Sequence, residues 1–264
     1  MAGYTLEQKQ AIVKQLSDAY REGEAEILRK LANGSLSEWS HGRYTQQLKE
    51  IRGVLAELDA VALRWAQLHI PGLYEAGARV VDSYLPVLRD FSFTRLHAEA
   101  VELLQANLTE RLASATQVVG RQVADVYRQA GLEAIQQGLV QGETPREVSK
   151  RIVGDLRRRG IEAFVDKRGK VWNLRTYADM VAQTTAMEAE LQGTVNRTLE
   201  AGMDLAKVSE HIEECDLCRP WEGRILSLTG ATKGYPTLAE AKQAGLFHPR
   251  CLHALTPYAP EVQG

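Results

Sequence analysis

The sequence predicts an α+β protein that is predominantly helical, with a helical N-terminal arm over residues 1–140 and a small α+β module over residues 141–264. Three observations lead there. Apolar residues recur at three- and four-residue spacings through most of the first 140 positions, which is the period of an amphipathic helix. Near residue 142 the texture changes to short strand-like runs divided by turn residues. All three cysteines fall between positions 215 and 251, beside three of the six histidines, at a spacing that suits a metal knot.

The arm divides into helices by its punctuation. A first helix is expected over 5–32, with Leu6, Ile12, Val13, Leu16, Tyr20, Ile27, Leu28 and Leu31 in register and Asn33-Gly34 as its stop. A second starts near Ser35 or Ser37 and runs to Leu68, carrying Leu48, Ile51, Leu55, Leu58, Val61, Ala62 and Trp65 on one side. Pro71 ends or kinks it. A shorter helix with Tyr74, Ala78, Val81 and Tyr84 follows, and a long one from Phe93 to about Gly138.

In the module, Thr144-Pro145-Arg146-Glu147 is a capping box with proline at the first helical position, opening a helix to about Arg159. Residues 162–165, a turn at 166–169 and residues 170–172 read as a β-hairpin. Thr176 can cap a helix over 177–201, stopped by Gly202. Short strands are expected at 205–208 and 224–228, with the first two cysteines in the turn between them. Tyr235-Pro236-Thr237 begins a brief helix closed by Gly245, and the tail stops at Pro257 and Pro260.

At 264 residues the chain can hold one large domain or two modest ones, and its formal charge of -2 gives no global reason for a nucleic-acid or membrane partner. No apolar run approaches the length of a membrane span, so none is expected. The N-terminus lacks the basic-then-apolar order of a signal peptide. Three cysteines cannot all pair with one another, and a C-x2-C without a signal reads as metal-binding in a reducing cytoplasm.

Cys215-Asp216-Leu217-Cys218 forms that knuckle, and His248-Pro249-Arg250-Cys251-Leu252-His253 returns a third thiol between two imidazoles. Thiolate and neutral imidazole are the ligands of four-coordinate Zn²⁺. Cys215, Cys218 and Cys251 are the expected thiolate ligands, and His253, His248 or His211 the fourth. His253 shares a face with Cys251 on an extended segment, because side chains two residues apart point the same way. Four protein ligands would make the site closed and structural, and three plus water would leave it open. The spacing matches neither H-E-x-x-H nor the deaminase order, so a structural Zn²⁺ is expected.

Residues 146–175 hold ten Lys or Arg against four acids. Arg157, Arg158, Arg159, Lys167, Arg168 and Lys170 are the candidate contacts for nucleic-acid phosphates or an acidic partner; a solvated helix face is the plainer alternative. Phe164 and Trp172 interleave with that charge and are expected to pack on the module. Thr184-Thr185 with Glu188 and Glu190 superficially resembles the S-T-S and E-x-E elements of ADP-ribosyltransferases, but here both fall in one helical pattern. No catalytic residue is assigned.

Taken together, residues 142–258 resemble the phage minor capsid (head morphogenesis) proteins, the group related to the Mu F protein and nearest to phage minor capsid protein 2. The elements carrying the resemblance are the stretch from Trp172 to Val181, Thr184-Thr185, Gly202-Met203-Asp204-Leu205, Ser209-Glu210-His211, Cys215-x-x-Cys218-x-Pro220-Trp221-x-Gly223-Arg224, Tyr235-Pro236, and His248-Pro249-x-Cys251-x-His253 before Pro257-Tyr258. The resemblance implies a structural and assembly protein of a tailed phage or prophage, made in the bacterial cytoplasm and present in several copies per virion. It implies association with the portal or major capsid protein at the inner head and a part in head morphogenesis or genome delivery; packaged DNA is the nucleic acid that the basic stretch would then face. Relatives often end H-P-x-C-x-C, which tilts the fourth ligand toward His253. They commonly have Arg where this chain has Gln183, and that arginine's role does not carry over. Some relatives carry a toxin domain after this module; none is expected here. The rivals are a metal-dependent hydrolase or ADP-ribosyltransferase-like toxin, and a zinc-stabilised nucleic-acid-binding module outside any virion.

Overall fold

The computed structural model describes residues 4–33, 41–85, 91–141, 147, 164–165, 170–210 and 215–260. Among them are five α-helices: α1 Leu6–Asn33, α2 His41–Tyr84, α3 Arg95–Gln141, α4 Leu174–Glu200 and α5 Leu238–Gln243. Five short strands accompany them: β1 Phe164–Val165, β2 Val171–Trp172, β3 Leu205–Val208, β4 Ile225–Ser227 and β5 Leu255–Pro257. The expected class, helices followed by a small α+β module, is therefore observed. No helix among the described residues is long and apolar enough to cross a membrane.

Local chemistry sets most boundaries. At the start of α1 the Thr5 hydroxyl accepts from the Gln8 N–H while the Gln8 side chain accepts from the Thr5 N–H, a reciprocal capping box. At the end of α4, Met203 N–H reaches the Thr198 carbonyl and Gly202 N–H the Leu199 carbonyl, with Gly202 at φ 76°. That is the Schellman closure, and the left-handed position suits glycine. α5 opens on a second capping box between Thr237 and Glu240.

Three boundaries differ from the expectation. α2 continues through Pro71 to Tyr84, so the separate short helix expected after Pro71 is the second half of α2. Proline removes one backbone bond and costs roughly 3 kcal/mol in a helix interior, but Ile70, Leu73 and Tyr74 beside it are all fully buried, and that packing offsets the loss. α4 begins at Leu174, and its cap is Asn173, whose side-chain oxygen accepts the Thr176 N–H at 2.7 Å; Thr176 is the recipient of the cap. Finally, the tail expected to stop at its prolines contains β5. Pro257 pairs with Ala206 on an outer strand, where a missing N–H leaves no ladder bond unmade.

The chain forms two compact units. One comprises Met1–Val13, Trp65–Leu108 and Met180–Gly264, the other Lys14–Arg64 and Thr109–Asp179. In the second, Leu16, Tyr20, Leu55, Leu58, Leu112, Val119 and Val123 are buried, and the Thr116 hydroxyl donates to Asp59. The β1–β2 hairpin belongs here, antiparallel with Phe164 opposite Trp172, as its sequence predicts. The helix expected over 145–159 lies outside the described residues apart from Glu147.

In the first unit α2 and α4 meet at two glycines. A Cβ on Gly77 would lie 1.9 Å from the Glu190 carbonyl oxygen, and one on Gly193 would lie 2.0 Å from that of Tyr74. The Thr194 hydroxyl donates to the Gly77 carbonyl across the same contact. Close by, a buried polar chain joins α2, α3 and α4. Asn196 donates to the Tyr74 hydroxyl, Tyr74 bonds His97, and His97 bonds Glu200. Arg197 then binds both Glu200 and Asp82. Each of these six side chains is thereby partnered, as burial requires.

The sheet of this unit has the order β4-β3-β5, all antiparallel. Ala206, Val208, Leu226 and Leu255 bury one face of it against Leu191 and Val195 of α4 and against Leu238, Ala241, Leu246 and Phe247. Cys218 and Cys251 belong to the same core. The sheet therefore serves as the platform on which the cysteine-rich loops are mounted.

Candidate metal centre

The knuckle is a turn closed by backbone bonds, with the N–H groups of Cys218 and Arg219 both reaching the Cys215 carbonyl. A single 3-10 turn, Arg219–Trp221, follows directly, with Pro220 as its second residue. On the other side, Cys251 N–H bonds the His248 carbonyl, and the turn demands left-handed backbone at Phe247 (φ 59°) and Arg250 (φ 69°). Side-chain crowding makes that region costly for residues other than glycine. Ser209 N–H bonds the Ala254 carbonyl, and the Ser209 hydroxyl accepts the Ala254 N–H. That pins the segment 251–255 to β3.

This geometry brings all three thiols and two imidazoles together. Cys215, Cys218 and His248 form one group, and Cys218, Cys251 and His253 another; within each, the donor atoms lie within 4.8 Å of one another. The Cys218 and Cys251 sulfurs are 3.7 Å apart. A tetrahedral ion with Zn–S bonds of about 2.3 Å would hold two sulfurs about 3.8 Å apart. His253 Nδ1 is 3.3 Å from the Cys251 sulfur and His248 Nε2 is 3.0 Å from that of Cys215.

Each ring also has its far nitrogen tied to an acceptor. His253 Nε2 lies 2.9 Å from the Glu222 carboxylate, and His248 Nδ1 lies 2.9 Å from the Pro249 carbonyl. An acceptor there places the proton on that nitrogen and leaves the other with its lone pair toward the sulfurs, as a metal ligand needs. Glu222 is the residue that sequence reasoning missed. It occupies an unassigned position between Trp221 and Gly223, and nothing in the local spacing marks it.

The electrostatics separate an outer from an inner thiol. The Cys218 backbone N–H, aimed at the Cys215 sulfur, brings the half-buried Cys215 down to about 7. Burial, with Cys251 alongside, pushes Cys218 up to about 12. Two buried sulfurs in contact cannot both carry charge unless a cation neutralises them, and a divalent metal that takes thiolate ligands supplies that cation. The donor set thus fits a metal ion, with Cys218 common to both groups.

His211, Arg157, Arg158, Arg159, Lys167 and Arg168 lie outside the described residues. Lys170 is described and exposed, with its ammonium 4.0 Å from the centre of the Trp172 ring. Trp172 also packs edge-on against Tyr177, a structural placement for that aromatic. Thr184, Thr185, Glu188 and Glu190 all sit on α4. The Thr184 hydroxyl donates to the Met180 carbonyl within the helix, and Glu190 is paired with Lys9.

The knuckle, the proline-containing turn after it and the H-P-x-C-x-H return are the elements on which the sequence resembles the minor capsid proteins. The structure assembles them into one centre. The comparison with protein families extends the likeness through the helical arm, since the family described as Phage minor capsid protein 2 matches residues 5–264. No curated protein and no solved structure matches the chain. A match of that length shows that the chain belongs to the phage minor capsid protein 2 family.

Proposed function

We propose that this protein is a structural, non-enzymatic component of the head of a tailed phage or prophage, associated with the portal and inner capsid. It is present in several copies per virion and acts in head morphogenesis or genome delivery. The observation that carries this reading is the family match over nearly the whole chain. In this reading residues 1–140 are the arm that docks on portal or capsid subunits, and residues 141–264 are the module that presents it. The decisive experiment is quantitative mass spectrometry of gradient-purified particles, combined with deletion of the gene and cross-linking in the intact head. The expected result is a few copies per particle, cross-links to the portal, and defective heads or failed delivery in the deletion. Normal infectious particles that lack the protein would refute the role.

The module's metal is Zn²⁺, held by Cys215, Cys218 and Cys251 and one of the two imidazoles. The arrangement of thiols and tied imidazoles supports this. The ion would cross-link loops 33 residues apart in the chain, and binding free energy at such a site is folding free energy. The excess of six cations over 146–175 supports contact between Arg157, Arg158, Arg159, Lys167, Arg168, Lys170 and packaged DNA. Reversing Arg157, Arg158 and Arg159 to Glu should flatten the log-log salt dependence of duplex binding by about 3. An unchanged slope would remove DNA from the partners.

A further inference from the structure

We propose that Glu222 is the positioning residue of the metal centre and that it makes His253, through Nδ1, the imidazole ligand. This rests on the reading above that the centre holds a metal. His253 is nearly fully buried, and its Nε2 lies 2.9 Å from Glu222 Oε1. With a carboxylate oxygen as its acceptor, Nε2 carries the ring proton, and the Nδ1 lone pair is turned toward Cys251, 3.3 Å away.

Both partners of the contact are mounted on the same strand from opposite sides. Glu222 is followed by Gly223 at φ 70°, whose N–H bonds the Val208 carbonyl, while Val208 N–H bonds the Arg224 carbonyl. His253 is followed by Ala254, bonded to Ser209 through both its carbonyl and its N–H. β3 thus sets the separation of the carboxylate and the ring. Gly223 suits this place because its backbone is left-handed, a conformation strained for a residue that carries a Cβ. Among the described residues His248 is held within its own turn, its carbonyl accepting the Cys251 N–H. Its acceptor is the carbonyl of its own neighbour, and it faces Cys215, the outermost of the three thiols.

The test uses the full-length protein, purified reduced, with Zn²⁺ and Co²⁺ as probes. Affinity is measured by chelator competition and the ligand field by Co²⁺ absorption. Glu222→Ala is expected to weaken metal binding 10- to 100-fold, roughly the loss for removing an outer partner of a ligating histidine. Glu222→Gln keeps an acceptor oxygen and should lose less. His253→Cys replaces the imidazole by a thiolate that needs no tautomer, so adding Glu222→Ala to it should leave affinity unchanged. A merely structural Glu222 would weaken both backgrounds equally, which would overturn the proposal. So would wild-type affinity in Glu222→Ala, or Co²⁺ spectra altered by His248→Ala and untouched by His253→Ala. Wild-type protein that takes up neither ion would instead refute the metal reading itself.

Discussion

Replacing Gly193 by alanine tests whether α2 and α4 are in backbone contact. The added Cβ would lie 2.0 Å from the Tyr74 carbonyl oxygen, about 1.4 Å inside the 3.4 Å at which ordinary contact begins. Neither partner is a flexible side-chain end, so the helices must separate locally. Overpacking of this kind costs about 1–3 kcal/mol. Separation also stretches the Thr194–Gly77 and Asn196–Tyr74 bonds, each worth about 1 kcal/mol. Against these, alanine gains up to about 1 kcal/mol of helix propensity over glycine. The net expectation is a loss of about 2–4 kcal/mol, or roughly 4–8 °C in melting temperature for a chain of this size. Thermal unfolding followed by circular dichroism at 222 nm measures it. An unchanged or raised midpoint would mean that the crossing is not as close as described, and propensity would have won.

Other consequences follow from the same structure. Asp204 accepts from the hydroxyls of Ser227, Thr229 and Thr232 and from the Thr229 and Thr232 N–H groups. Burial opposes its charge, but those donors prevail and hold its pKa well below the usual carboxylate range. Its stabilisation is therefore complete above the unfolded value near 3.9 and is lost as pH falls below about 4. Asp204→Ala should cost about 2–4 kcal/mol in urea unfolding at pH 7, and the gap to wild type should shrink in acid. At the left-handed Arg250 position, Arg250→Gly should be within about 1 kcal/mol of neutral and Arg250→Val should cost about 1–2 kcal/mol; equal midpoints would show that the turn relaxes. Elemental analysis of the purified protein should find about one zinc per chain, lost in Cys218→Ser and Cys251→Ser. Full retention in either would place the ion elsewhere.

Much of the architecture was legible because local rules governed it. Helical periodicity revealed α1 and α3, Thr237 and Gly245 framed α5, and turn residues located the β1–β2 hairpin. The cluster of three thiols and two imidazoles was legible from residue type and spacing alone, because few other roles gather such groups so closely in sequence. What misled was punctuation. Pro71 reads as a helix end and Pro257 as the end of structure, yet burial around the first and the edge position of the second make both tolerable.

The sequence by itself determined the class, the candidate cluster of thiols and imidazoles and the family resemblance, since periodicity, side-chain chemistry and ordered motifs are properties of residues along a line. Only the tertiary structure decided that Gly77 meets Glu190 and Gly193 meets Tyr74, that Asn196, Tyr74, His97 and Glu200 form one chain, and that Glu222 stands behind His253. Those partners are 31 to 122 residues apart except for Tyr74 and His97, which are 23 apart. Nothing in a local pattern encodes which distant surfaces will be pressed together. That choice belongs to the packing of the whole core, where apolar burial drives collapse and each buried polar group must find its partner.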